Sequence, residues 1–286
     1  MSDFKRIAIL GPGLLGGSIA LGLKRRDREV EVVMWGRSPE RVAAVQACGF
    51  DHVTADLGLA VKGADLVILA VPVGAMEDLA ARLVKEGLDP EAFVTDVGSV
   101  KTLPHRSAGR VLQQAGIRFI GSHPMAGSEQ SGFESADPDL LVGAPCILTN
   151  DHGLPDGEVN RLVAFWASLG ARAAVMSATE HDRLVARISH LPHVLAVVCA
   201  LVSLEQEEDG SLAGGGLRDT SRVAAGDPEM WTEILLENRE AVAGPLQASI
   251  SMLQRLSELI EDGSQQALAT VLEDAQRRRN KLTALK

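Results

Sequence analysis

Aromatic side chains are scarce in this 286-residue chain, at 3%, so Leu, Val, Ile and Ala must fill its interior. That scarcity excludes stacking platforms for nucleic-acid bases. Only three cysteines occur, Cys48, Cys146 and Cys199, and none pair with CxxC spacing. An odd, scattered set excludes a disulfide framework and a thiolate zinc site, and it points to a reducing cytoplasm. No apolar stretch near 18 residues is expected, and no charged-then-apolar leader precedes the first strand, so neither a membrane span nor export is expected. Positive charge is in deficit, with a formal net charge of -10. The deficit repels nucleic acid and anionic membranes, and an anionic substrate then needs a local cluster of Arg or His.

Short apolar runs bounded by Gly, Pro or Asp alternate with helical spacing through the first half. Strands are expected at 6–10, 30–35, 66–71, 93–97, 119–121 and 146–149. Helices are expected between them at 14–26, 39–47, 74–86, 100–114 and 155–169. Crossover helices covering both faces imply an α/β fold with a Rossmann-type, doubly wound, mostly parallel sheet. Strand signals stop near Ser177, and helical stretches take over at 179–206, 228–262 and 265–282. Pro192 and Pro245 should kink or interrupt two of these. The boundary falls near Met176, giving a dinucleotide-binding domain over 1–176 and an all-α domain over 177–286. Apolar helix faces in the second half exceed what one small bundle needs, which points to a homodimer.

The first strand runs into Gly11-Pro12-Gly13-Leu14-Leu15-Gly16. Gly11 permits the tight turn, Gly13 lets backbone approach a pyrophosphate, and Gly16 allows close helix packing, while the new helix offers unpaired N–H groups around Leu14 and Leu15. The strand before it and the helix after it supply the context that a lone glycine pattern lacks. NAD-preferring sites usually carry an acid after the second strand; here Trp35-Gly36-Arg37-Ser38 stands instead. Arg37 and Ser38 lean towards the 2'-phosphate of NADP, although Ser38 also suits the N-cap of the helix that Pro39 opens. The choice between NAD and NADP stays open.

Downstream, the segment Gly121-Ser122-His123-Pro124-Met125-Ala126-Gly127 follows a short apolar run. A nicotinamide takes hydride from a carbon whose hydroxyl loses a proton, and a neutral imidazole is well matched to that proton. His190 and His193, three apart, raise the question of a metal; Pro192 intervenes and no carboxylate completes a ligand set, so no metal site is expected. Arg277-Arg278-Arg279 reads as a solvated helix end, where cations are favoured.

Five ordered motifs, GPGLLGGS, Asp96-Val97-Gly98-Ser99-Val100-Lys101, GSHPMAGSEQSG, Ser189-His190-Leu191-Pro192-His193 and Gly214-Gly215-Gly216-Leu217-Arg218-Asp219-Thr220-Ser221-Arg222, span nearly the whole chain. Together they resemble the prephenate dehydrogenase family. The resemblance implies oxidation of prephenate, or of arogenate, with loss of carbon dioxide on the route to tyrosine, by a nucleotide-binding domain joined to a helical dimerisation domain. It implies His123 as catalytic base and Ser99 as the serine between nicotinamide and histidine, able to fix the imidazole tautomer or to cap a helix near Val100. Arg222 becomes the substrate-carboxylate arginine, with His193, His190, Gly215 and Trp231 at the substrate and His181 shaping the cleft. Gly11, Gly13, Leu14, Leu15, Gly16, Arg37, Ser38, Val71, Pro72 and Ser99 make up the cofactor set. Glu129 and Gln130 are placed to face the substrate side chain, and Lys101 is expected to be solvated or phosphate-facing.

Two other classes share part of this pattern. A β-hydroxyacid or imine reductase has the glycine turn and helical second domain but typically relies on a lysine rather than His123. A nucleotide-sensing regulatory protein would keep the turn without turnover. The chain ends soon after its last helix, so an appended amino-acid-binding domain is not expected.

Overall fold

The computed structural model describes residues 3–27, 29–127, 130 and 132–283. Six strands, β1 (Arg6–Leu10), β2 (Glu31–Trp35), β3 (Val53–Thr54), β4 (Leu66–Leu69), β5 (Phe93–Asp96) and β6 (Arg118–Phe119), form a wholly parallel sheet in the order β3-β2-β1-β4-β5-β6. The order reverses between β1 and β4, the crevice where doubly wound sheets bind ligands. Helices α1 (Leu14–Arg26), α2 (Pro39–Ala47), α3 (Leu57–Val61) and α4 (Met76–Lys85) connect the first strands. The short α5 (Thr102–Pro104) and α6 (Arg110–Gln114) are joined by a π turn, His105–Gly109.

Strand alternation sends side chains to two cores. Ile7, Ile9, Leu66 and Ile68 enter one, and Ala8, Leu10, Val67 and Leu69 enter the other. Ile19 and Leu23 of α1 cover the first face; Leu57 and Ala60 of α3, with Met76, Leu79 and Leu83 of α4, cover the second. Strands buried on both faces explain why these runs read as continuous apolar segments.

A second sheet follows, made of β7 (Gly121–Pro124), β8 (Pro145–Thr149) and β9 (Arg172–Met176), with α7 (Asp156–Ser168) between the last two. β7 pairs antiparallel with β8, and β8 pairs parallel with β9. The expected strand at 119–121 is therefore two strands in two sheets, parted at Ile120. His123 lies on β7, opposite Ile147. Strands β3 and β9 and helix α3 lie outside the expected set: β3 and α3 are short, and β9 is an Ala-rich run without the β-branched signal.

Helix α8 (Ala178–Val185) opens on a capping box between Ser177 and Glu180, then passes through a π turn, Ala186–His190, into α9 (Leu191–Ser203). Pro192 follows directly on the π turn, at the second residue of α9, where regular α spacing resumes. The run Ala178–Ser203 contains an 18-residue window of mean hydropathy 1.8, of which 28% is buried, so an apolar stretch of that length does exist, contrary to the expectation. The histidines within it obscured that average, and they are inside the fold: His190 and His193 are buried. Helices α10 (Gly215–Ser221), α11 (Pro228–Glu237), α12 (Arg239–Glu261) and α13 (Gln265–Thr283) complete the chain. The expected single stretch at 228–262 breaks at Asn238, while Pro245 lies inside an unbroken α12.

Two compact units result, Met1–Arg239 and Glu240–Lys286. The first holds both sheets and helices α1 to α11, and the second holds nearly all of α12 together with α13.

Gly11 shows how tightly the first turn is built. Its φ is +121°, its N–H bonds to the Trp35 carbonyl at 3.0 Å, and a Cβ there would lie 2.1 Å from the Ala70 carbonyl oxygen. Gly11→Ala is therefore expected to destabilise the chain by at least about 1–3 kcal/mol and to weaken dinucleotide binding. Urea unfolding and dinucleotide titration measure both, and an unchanged unfolding midpoint would contradict the turn described.

Candidate active site

The carboxyl end of β5 delivers Asp96, whose side chain is fully buried. It ion-pairs with Lys101 and accepts hydrogen bonds from the N–H groups of Gly98 at 2.8 Å and Ser122 at 3.2 Å. Lys101 is itself fully buried, which corrects the expectation of a solvated or phosphate-facing residue. A buried carboxylate demands a partner, and this lysine supplies it. Ser122, next to the candidate base, is further held by Thr95 Oγ1 at 2.7 Å and by Trp166 Nε1 at 3.0 Å.

His123 is 8% exposed, and its Nδ1 lies 2.8 Å from His181 Nε2. His181 Nδ1 in turn lies 2.8 Å from Asp182 Oδ1. Asp182 also accepts the N–H groups of Lys101 at 2.8 Å and Thr102 at 2.9 Å, capping α5 from a distant point in the chain. Burial alone would raise the Asp182 carboxyl, but hydrogen bonds from His181, Thr102 and Lys101 outweigh it and hold the group below its ordinary value.

Proton positions follow from these contacts. An ionised Asp182 only accepts, so His181 donates from Nδ1. Burial keeps His181 neutral in spite of Asp182, so its Nε2 is an acceptor and His123 must donate from Nδ1. The remaining nitrogen of His123, Nε2, is left with a bare lone pair. Burial, followed by the nearby His181, Lys101 and His190, holds His123 well below the usual imidazole value. The arrangement is a neutral base, oriented by a second histidine that is oriented by a carboxylate.

Ser99 is half-buried in the β5–α5 connection and makes no hydrogen bond to His123, so the tautomer is set by His181 instead. Nor does Ser99 cap a helix at Val100; the helix starts at Thr102 and Asp182 does the capping. His193 is 5% exposed and stacks on Trp231, with ring centroids 3.5 Å apart and planes 6° from parallel. Trp231 also meets His190 edge-on at 6.2 Å. His190 Nε2 and His193 Nδ1 are buried polar atoms without a hydrogen-bond partner among the described residues. Arg222 is exposed, in the 3-10 turn that follows α10, and forms no ion pair with Asp219 or Asp227. Gly215 is exposed at the start of α10. Glu129 lies outside the described residues.

The glycine turn fits a dinucleotide. Gly13 caps α1 without any side-chain hydrogen bond, and a Cβ built on it would meet nothing within 4 Å, so no side chain occupies the space beside the first turn at Gly13. Gly16 has no such room: a Cβ there would lie 2.1 Å from the Gly11 carbonyl oxygen. Val71 and Pro72 follow β4 at the same sheet edge, half-buried and exposed respectively. Arg37 is exposed. The Ser38 hydroxyl accepts the Arg41 N–H at 3.4 Å and bonds the Glu40 carboxylate, which that bond holds below its usual value.

A doubly wound sheet with an uncapped glycine turn, in a chain that also holds a buried neutral imidazole, has the character of a dinucleotide-dependent oxidoreductase. Comparison with known proteins sharpens this. The family model described as the nucleotide-binding domain of prephenate dehydrogenase matches residues 19–175, and that of the dimerization domain of prephenate dehydrogenase matches residues 177–274. A cyclohexadienyl dehydrogenase of Zymomonas mobilis is 36% identical over 275 residues, covering 92% of this chain and 92% of its own. Among solved structures, a prephenate dehydrogenase from Aquifex aeolicus in complex with hydroxyphenyl propionate and NAD+ superposes with a TM-score of 0.87 at 30% identity, covering 97% of this chain and 98% of its own. An arogenate dehydrogenase from Synechocystis gives a TM-score of 0.78 at 30% identity, covering 96% and 99%. The chain belongs to the prephenate dehydrogenase family.

Sequence reasoning missed Asp182, Lys101 and Asn238 as neighbours of His181 and His190, and gave His181 only a part in shaping the cleft. The His181-Asp182 pair inside an otherwise helical run was the available signal.

Buried neutral histidines carry a stability consequence. Burial pushes His105 down to about 4 against the pull of Asp151, and His190 down to about 4 against Asp182. Below the unfolded imidazole value of about 6.5 the unfolded chain takes up protons that these groups refuse, so stability falls as pH falls, until the folded values are reached. Urea midpoints are expected to drop from pH about 7 to pH about 5, a loss on the order of a few kcal/mol; a flat profile would contradict the buried neutral state.

Proposed function

We propose that the chain catalyses the oxidative decarboxylation of prephenate to 4-hydroxyphenylpyruvate and carbon dioxide, in tyrosine biosynthesis, with arogenate to tyrosine as the companion reaction. The observation that carries this reading is the bare Nε2 of His123 at the end of the chain Asp182–His181–His123. A bound nicotinamide dinucleotide supplies the hydride acceptor. His123 Nε2 accepts the proton of the ring hydroxyl, and the resulting imidazolium donates through Nδ1 to His181, which is held by the carboxylate of Asp182. With the carbinol oxidised, the ring carboxylate leaves as carbon dioxide and the ring becomes aromatic, which makes the step effectively irreversible. The site residues divide the remaining work: Arg222 grips a substrate carboxylate through its planar guanidinium, while His193, His190, Gly215 and Trp231 surround the substrate and Ser99 lies between the nicotinamide and His123. Gly11, Gly13, Leu14, Leu15, Gly16, Val71 and Pro72 hold the dinucleotide.

A boundary near Met176 separates the nucleotide-binding part from the helical part on this reading. Homodimer formation through the helical part covers apolar side chains such as Val198, Leu201 and Val202 of α9, which are exposed in the single chain. Three free cysteines suit a cytoplasmic enzyme. The lysine-dependent reductase reading is disfavoured, because Lys101 is buried in an ion pair with Asp96 and has no free ammonium to offer.

The decisive experiment is a matrix of prephenate and arogenate against NAD and NADP, followed by reduced-cofactor absorbance. Turnover with either substrate is expected, and none with simple hydroxyacids; the reverse pattern would overturn the reading. His123→Asn should lower kcat by about 10²–10⁴ while leaving dinucleotide affinity near normal. In the parent enzyme the acid limb of kcat/KM should lie below the usual imidazole value of about 6.5. Near-normal kcat in the variant would remove His123 from the mechanism.

Cofactor choice rests on Arg37, since the Ser38 hydroxyl is occupied by Arg41 and Glu40. If Arg37 holds a 2'-phosphate, Arg37→Ala raises KM for NADP by about one to two decades and leaves KM for NAD nearly unchanged. Equal effects on the two would assign Arg37 to the adenine or to solvent.

A further inference from the structure

We propose that Asn238 is a positioning residue that fixes the tautomer of His190, so that the buried His190 Nε2–H donates a hydrogen bond to an acceptor oxygen of the bound cyclohexadienol acid. This rests on the active-site reading above. Asn238 is 5% exposed and ends α11, its Nδ2 lying 2.9 Å from the Asp182 backbone oxygen and 3.1 Å from His190 Nδ1. A backbone carbonyl only accepts, so the atom facing it must be the amide nitrogen. That nitrogen carries two hydrogens, and the two contacts use both. His190 Nδ1 must therefore offer its lone pair.

His190 is 1% exposed, and burial keeps it neutral at ordinary pH. A neutral ring that accepts at Nδ1 carries its proton on Nε2. That Nε2–H is buried without a partner among the described residues, whereas its neighbours His123, His181 and Asp182 are all engaged. It is linked to His123 through Asn238, Asp182 and His181. Two neighbouring imidazoles thus present opposite polarity, His123 Nε2 as acceptor and His190 Nε2–H as donor. A ligand that gives its hydroxyl to the first and a carboxylate or keto oxygen to the second binds in a single orientation.

The test uses the full chain. Long-range ¹⁵N-histidine NMR of the ligand-free protein should place the His190 proton on Nε2; a proton on Nδ1, or on both nitrogens near neutral pH, overturns the proposal. Asn238→Asp removes the donor and offers an acceptor, drawing the proton to Nδ1, and should raise KM for prephenate about ten- to a hundredfold with a smaller change in kcat. In a His190→Gln background the glutamine amide donates near the Nε2 position whatever stands at 238, so Asn238→Asp should then change KM by less than about twofold. Equal KM increases in both backgrounds would mean that Asn238 only ties helices together, and the proposal fails. Should Asn238→Asp not fold, the NMR of the parent protein still decides. A parent protein without prephenate turnover would sink the functional reading, while the tautomer remains readable on its own.

Discussion

One buried carboxylate, that of Asp182, organises this active site. Its two oxygens accept from His181 Nδ1 and from the backbone N–H groups of Lys101 and Thr102, and its own backbone carbonyl accepts from Asn238. Ionised carboxylates accept and never donate, so every hydrogen position around it is dictated. The polarity propagates outward: through His181 it leaves His123 with a free lone pair, and through Asn238 it stands beside a second buried imidazole, His190. The first consequence is lost with a protonated Asp182, whereas the second is set by its backbone carbonyl and does not depend on the charge. What keeps it ionised is the hydrogen bond from His181 together with those at the start of α5, which outweigh the penalty of burial.

Lys101 makes that arrangement compatible with a second buried acid. Its backbone N–H serves Asp182 while its ammonium pairs with Asp96, so one residue links the end of β5 to the start of α8's network. Removing one member of such a pair leaves an uncompensated charge, which costs far more than the pair is worth relative to apolar replacements. The histidines pay no comparable penalty, because burial has already made them neutral. At His105, His181 and His190 desolvation is the largest influence and beats the nearby carboxylates, while at His123 it is again the largest and His181, Lys101 and His190 act in the same direction. The proposed role of His123 benefits from that outcome, since its imidazole is already unprotonated.

The parts of this molecule that were legible in the sequence are those with local causes. Alternation of apolar runs and helical spacing reveals β1, β2, β4 and β5 with their helices, because each buries a continuous stripe. The glycine turn is legible because φ at Gly11 and the contact at Gly16 leave no room for a side chain. Short β3 and Ala-rich β9 carry no such stripe, and their existence depends on pairing with β2 and β8. The break at Asn238 was hidden for a related reason. Proline marks helix ends by local sterics, whereas Asn238 ends α11 with its amide turned to a partner 56 residues away, Asp182. Likewise Lys101 reads as a surface residue until the fold brings its acid partners together, and Ser99 reads as the residue that fixes the imidazole until His181, 58 residues from His123, is seen to occupy that place.

Placing His123, the proposed base, on a strand has a mechanical consequence. Successive side chains of a strand point to opposite faces, so fixing Ser122 on one side fixes His123 on the other. Ser122 is held by its backbone N–H to Asp96, by its hydroxyl to Thr95 and by the indole of Trp166, three contacts from β5 and α7. Pairing of β7 with β8 adds a fourth restraint, with His123 opposite Ile147. Catalysis is steeply sensitive to geometry, with a displacement of about 1 Å able to cost about a hundredfold in rate. The second sheet therefore has a role beyond completing the core: it converts the packing of Trp166, Thr95 and Asp96 into the position of one imidazole. His181 then needs only to set the ring's rotation and proton, and a single hydrogen bond from a residue itself held by Asp182 suffices for both.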